Sequence, residues 1–147
     1  MARWVAMAAD RGHRAVSHTA DVILEAWAPD LAACLEEAVA ALVGIYAVVA
    51  DGERRRAHAL RLPAGSAERQ LLDLLDEVIF LLDTDDDVPV GATVHRLDET
   101  GGGEVDIWLA PREDVDPTGS VPKAISQSEL AVTADAGQAS CRFLVDV

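Results

Sequence analysis

The chain has 147 residues, a formal net charge of −14, and a hydrophobic fraction of 50% with only six aromatic residues. That length suits a single domain, spanning residues 1–147, with a core of Leu, Val, Ile and Ala. Twelve Lys and Arg against 26 Asp and Glu argue against direct nucleic-acid binding, which needs clustered cations on phosphates, and favour divalent cations or a basic protein surface.

The first nine residues are mildly apolar but too short to span a membrane, and they lack the long apolar core of a signal peptide. Cys34 and Cys141 stand far apart in no ligand-like spacing, which reads as two reduced, buried thiols in a cytoplasmic protein.

In chain order, Ser17-His18-Thr19-Ala20-Asp21 leads into an alternating run over residues 22–27 that predicts a half-buried strand. Asp21 therefore stands at a strand start without a local cation. Such a carboxylate caps a turn, faces water, or grips a metal or a partner. Pro29-Asp30 supplies a turn and an N-cap. Leu31, Cys34, Leu35, Ala38, Val39, Leu42 and Tyr46 then recur at helical spacing, with Glu36 and Glu37 off the stripe. A turn follows at residues 50–52. Arg54-Arg55-Arg56 opens a strand containing Leu60 and Leu62, closed by Pro63-Ala64-Gly65.

Ser66 caps a second helix with an apolar face of Leu71, Leu74, Leu75, Val78, Ile79 and Leu82. Asp73 and Glu77 repel at their i, i+4 spacing, with no evident local compensation. The acidic run over residues 83–87 lacks the Gly and closing Glu of an EF-hand and reads as a turn. Beyond Val88 the chain turns to strands: residues 92–97, a Gly101-Gly102-Gly103 turn, and residues 105–109. A polar loop over residues 111–122 and a last hairpin, over residues 128–134 and 139–145, complete it. This order predicts an α+β two-layer sandwich, with two helices on one face of a mostly antiparallel, mixed sheet.

His18-Thr19-Ala20-Asp21-Val22, Leu35-Glu36-Glu37-Ala38, Leu75-Asp76-Glu77, Lys123-Ala124-Ile125 and the final Asp146-Val147, taken in order, resemble the archease family across essentially the whole chain. The opening pentapeptide and the acidic-aliphatic end are the specific parts. Pro122 and Ser126-Gln127-Ser128 depart from the family pattern.

The resemblance implies a non-catalytic activator of the RtcB-type RNA-splicing ligase, promoting guanylylation and multiple turnover of that ligase in tRNA splicing or RNA repair. It also implies a divalent-metal site at Asp21, Asp146 and the main chain of Val147. Calcium is the ion expected in a crystal, with magnesium or manganese the alternatives in function. Hard oxygen donors of this kind suit such ions. His18, Thr19, Glu37, Asp73, Glu77, Lys123 and Ser128 are the partner-facing or supporting candidates. The partner is the ligase, with no direct nucleic acid and no membrane. The competing reading is a small metal-dependent hydrolase acting on phosphoesters through Asp21 and Asp146. It lacks a convincing nucleophile and base set in the sequence.

Overall fold

The computed structural model describes residues 10–17, 21–52 and 54–147. Two helices carry the predicted stripes: α1 (Leu31–Tyr46) and α2 (Ala67–Thr84). Each begins where the sequence places a cap. Asp30 Oδ1 accepts from the Ala33 N–H at 2.8 Å, and Ser66 Oγ accepts from the Arg69 N–H at 3.1 Å. A cap of this kind contributes about 1 kcal/mol.

The described residues form ten strands beside these helices: β1 (Gly12–Ser17), β2 (Asp21–Ala28), β3 (Ala47–Val49), β4 (Arg56–Leu62), β5 (Val88–Asp98), β6 (Gly102–Ala110), β7 (Val115–Pro117), β8 (Ala124–Ile125), β9 (Ala131–Asp135) and β10 (Gln138–Asp146). The α+β class expected from the sequence holds. The strands divide into a five-stranded sheet (β1-β2-β10-β8, with β9 also on β10), a three-stranded sheet (β4-β6-β5) and the small β3–β7 pair. Every pairing among the described residues is antiparallel, so the sheets carry no mixed element.

Each helix touches both larger sheets. α1 lies on β1, β2 and β10 and also runs along β5, while α2 meets β4 and β5 as well as β8 and β9. That double coverage explains why α1 buries more than its predicted stripe, adding Ala41 and Val43. Leu35, Leu42, Leu71, Leu74, Leu75, Ile107, Leu109 and Phe143 are all fully buried in one contiguous core. Each such side chain contributes roughly 1.5–3 kcal/mol of burial. Tyr46 ends α1 inside this core, and its hydroxyl donates to Pro89 O at 2.6 Å. Burial pushes its phenol pKa far up.

The sequence reading lacks four of these strands, β1, β3, β7 and the two-residue β8. β1 precedes the first strand that the sequence predicts, and β3 and β7 are three-residue strands, the latter inside what reads as a loop. β1 is polar and exposed, and three-residue strands are too short to show a period of two. β5 also starts at Val88, ahead of the run over residues 92–97. Among the described residues, no helix is long and apolar enough to cross a membrane.

Two glycines make opposite demands. Gly102, at φ +77°, turns β5 into β6 so closely against β4 that a Cβ would lie 2.2 Å from Leu62 O. Gly44 sits within α1 with no atom near a would-be Cβ. Glycine inside a helix costs about 0.5–1 kcal/mol relative to alanine. Gly44→Ala should therefore stabilise the protein by about that amount, whereas Gly102→Ala should destabilise it by more. Urea-unfolding midpoints of the two variants check this pair of signs.

Candidate functional site

β2 and β10 are antiparallel neighbours over eight registered pairs. The pairs Val22–Val145, Leu24–Phe143 and Ala26–Cys141 face α1 and contribute to the core. Side chains alternate along a strand, so the intervening pairs lie on the outer face. These are Trp27–Ser140, Glu25–Arg142, Ile23–Leu144 and Asp21–Asp146. The two carboxylates singled out from opposite ends of the sequence thus stand directly across from one another. Opposed residues in such a ladder have Cα atoms about 4.5–5.5 Å apart.

A second row on the same face gives the contrast. Glu25 lies between Arg14 of β1 and Arg142 of β10, with Arg14 Nε at 2.5 Å and Arg142 Nη1 at 3.5 Å. Here an acid is flanked by two cations in register. At the Asp21–Asp146 row an acid faces an acid, and neither carboxylate has a hydrogen bond or ion pair with the other described residues. Asp21 is half-buried and Asp146 exposed.

The Lys123-Ala124-Ile125 segment sits beside this row. The Lys123 N–H donates to Asp146 O at 2.7 Å, Ala124 pairs with Asp146 and Ile125 with Val145. The ladder begins two residues after Pro122, and its first hydrogen bond comes from Lys123, so the missing proline N–H costs it nothing. The Ser126 N–H donates to Leu144 O at 3.0 Å, and Ser128 meets Ser126 through their hydroxyls at 3.2 Å. The Lys123 side chain is exposed.

The other candidates take different places. His18 and Thr19 lie outside the described residues. Glu37 ties α1 to the chain around β1, accepting from His13 Nδ1 at 2.9 Å and Arg11 Nε at 2.5 Å. Burial alone would push its carboxyl pKa up. The hydrogen bonds and positive charge of His13 and Arg11 outweigh that and hold it below the ordinary 4.5. Its neighbour Glu36 accepts the Val94 N–H at 2.8 Å, at an irregularity in β5, and thereby joins α1 to the three-stranded sheet.

Asp73 and Glu77 are not the uncompensated pair expected from their spacing. Arg69 Nε lies 3.2 Å from Asp73, and His58 Nε2 of β4 lies 2.8 Å from Glu77. Arg69 is four residues before Asp73, a signal already present in the sequence; the His58 contact is not local. Asp76, between them, has its carboxyl pKa raised by burial and then by the Asp73 charge.

Two acidic side chains alone do not make a closed metal site. Among the described residues, no group of three or more His, Cys, Asp or Glu is placed to hold a metal ion. A cation at Asp21 and Asp146 would need further donors from main-chain oxygens, water or a partner. The donor chemistry fits a hard divalent ion, since carboxylate and carbonyl oxygens are its usual ligands.

Comparisons with known proteins converge. Residues 13–147 match the model of the archease protein family (MTH1598/TM1083). The chain is 34% identical over 136 residues to a protein from Mycobacterium tuberculosis described as probable protein archease, covering 92% of this chain and 75% of that one. It resembles the solution structure of Methanobacterium thermoautotrophicum protein 1598 with a TM-score of 0.64 and 19% identity, over 92% of this chain and 99% of that one. The Thermotoga maritima crystal structure of an archease, described as a possible chaperone, gives 0.62 and 20%, over 91% and 96%.

Two outcomes follow from this geometry. Like charges directly opposite in a ladder destabilise it by a few tenths to about 1 kcal/mol. Asp21→Asn and Asp146→Asn should therefore each raise the urea midpoint at neutral pH in the presence of a chelator. Glu37 has a lowered native pKa, so its contribution is complete above 4.5 and is lost as pH falls through the native value. Glu37→Gln should lower stability at pH 7 and flatten the stability-against-pH curve below about 4.5, where wild type loses this contribution. Unfolding midpoints measured from pH 7 down to 3 test it.

Proposed function

The chain belongs to the archease family, and from that premise we propose that it is a non-catalytic activator of an RtcB-type RNA-splicing ligase. It promotes guanylylation and repeated turnover of that ligase, and it acts through a divalent cation held by Asp21, Asp146 and the main chain of Val147. The register that sets Asp146 across from Asp21 carries this reading. Among the described residues neither carboxylate meets a cation, in a sheet whose Glu25 row has two.

A bound divalent ion would neutralise the two carboxylates and present open coordination positions. The chain's own part is positional. β2 and β10 hold the two carboxylates on one face, and the Lys123 N–H anchors the Asp146 carbonyl from the side. Calcium takes six to eight oxygen ligands, more than these residues supply, so the remainder comes from water or from the ligase. The exposed position of Asp146 leaves room for that approach.

A net charge of −14 opposes direct contact with RNA phosphates, which supports an interaction with a protein partner instead. The Thermotoga maritima relative's description as a possible chaperone fits a role exercised on another protein. Cytoplasmic location goes with such a partner.

The test is ligation by the ligase under limiting GTP, with and without this protein. Wild type should convert a single-turnover reaction into a multiple-turnover one. Asp21→Asn should lose that stimulation while keeping its far-UV spectrum and, in the presence of a chelator, a thermal midpoint no lower than that of wild type. Full stimulation by Asp21→Asn would refute the cation-site reading. Phosphoester hydrolysis by the purified chain alone would favour the hydrolase.

A further inference from the structure

Cys34 and Cys141 take no part in the site above, and both are buried, at 0% and 4% exposure. Cys34 lies in the first turn of α1 and Cys141 in the middle of β10. The fold brings them together at Ala26. The Cys34 thiol donates to Ala26 O at 3.7 Å, and Cys141 is registered directly across from Ala26 on the α1-facing side of the sheet. The Cys141 thiol is pushed far up in pKa, first by its hydrogen bond with Cys34 and then by burial. Both cysteines therefore border the same core residue, Ala26, and both are free thiols.

We infer that Cys34 and Cys141 are a dithiol site of covalent modification, which a hydroperoxide oxidises to one intramolecular disulfide joining α1 to β10. In the first step one thiol loses its proton when the α1–β10 contact opens locally. Its thiolate attacks a peroxide oxygen, the O–O bond breaks, and a sulfenic acid forms with hydroxide as leaving group; the released proton turns that hydroxide into water. In the second step the other cysteine's thiolate attacks the sulfenic sulfur, forming the S–S bond and expelling hydroxide, which takes up that cysteine's proton. Two thiols and one hydrogen peroxide thus give one disulfide and two waters. The nucleophile is the thiolate, and burial opposes it, so the reaction is slow in the folded protein and faster at higher pH. The disulfide would close a loop of roughly a hundred residues, and cross-links over long loops constrain the unfolded chain most. This inference does not depend on the ligase reading.

The experiment treats the reduced, folded protein with hydrogen peroxide, then denatures and alkylates it for intact-mass and non-reducing peptide analysis. The expected product is a monomer lighter by two hydrogen masses that takes up no alkylating agent. It should yield a linked Cys34–Cys141 peptide pair and show a higher thermal midpoint, reversed by dithiothreitol. Cys34→Ala and Cys141→Ala should give oxygenated or still alkylatable protein without the rise in midpoint; wild-type mass analysis decides the matter even where a variant fails to fold. Two alkylatable cysteines, sulfinic acids without a cross-link, a disulfide between two chains, or a link formed only in unfolded protein would each overturn the inference.

Discussion

The antiparallel pairing of β2 with β10 is the constraint on which the rest of this fold depends. It fastens the beginning of the described chain to its end, with Asp21 across from Asp146 and Ala28 across from Ala139. Closing so long a loop costs entropy that grows only slowly with length. The burial of Leu24, Ala26, Phe143 and Val145 beneath α1 offsets it. The alternation in β10 sets the register. Ala139, Cys141, Phe143 and Val145 point inward, while Ser140, Arg142 and Asp146 do not. A slip by one residue would send Phe143 to solvent and turn Arg142 and Asp146 toward the helix. The meeting of two aspartates at the last rung is thus a consequence of packing four residues of β10 into the core.

The sequence made the local part of this architecture legible. Both helices, their Asp30 and Ser66 caps, and the longer alternating strands follow from spacing and from residues within a turn of each other. Pairing partners were harder to read, because alternation says which face a strand buries but not which strand lies beside it. The division into three sheets therefore came only with the structure, as did β1, β3, β7 and β8. The site shows the same limit. Asp21 and Asp146 could be nominated from a family resemblance, and their juxtaposition follows from β2 and β10 being neighbours. The Glu77–His58 and Glu37–His13 contacts join residues on different elements and have no sequence signature. Arg69 beside Asp73 did have one, at i, i+4, and the apparent repulsion of Asp73 and Glu77 disappears once both basic partners are counted.

Charges on the outer face of the five-stranded sheet are not arranged at random. The Arg14–Glu25–Arg142 row shows that β1 and β10 can each present a guanidinium to an acid on β2. The same ladder carries an aspartate on β10 at the Asp21 row, although a lysine there would have completed a pair. The cost of that choice, at most about 1 kcal/mol, is small against the 5–15 kcal/mol stability of an ordinary domain. The fold tolerates the opposed acids with or without a ligand, so their repulsion alone does not argue for a cation. What favours a cation is the conjunction of carboxylates without a partner among the described residues, the exposed position of Asp146, and the adjacent Lys123 segment fixed to the Asp146 carbonyl.

β10 also has two chemically distinct faces. Cys141 points into the core against Cys34 and Ala26, whereas Asp146, five residues on, points outward beside Asp21. A covalent link at the first would hold the strand to α1, and a cation at the second would hold it to β2. The core-facing sulfur is shielded from solvent and the outward carboxylate is not, so the strand would separate a slow, access-limited oxidation from reversible binding of a cation. An odd number of residues between two side chains would put both on one face. The five-residue step from Cys141 to Asp146 spans four intervening residues and so puts them on opposite faces, which lets one strand carry both without either ligand set meeting the other.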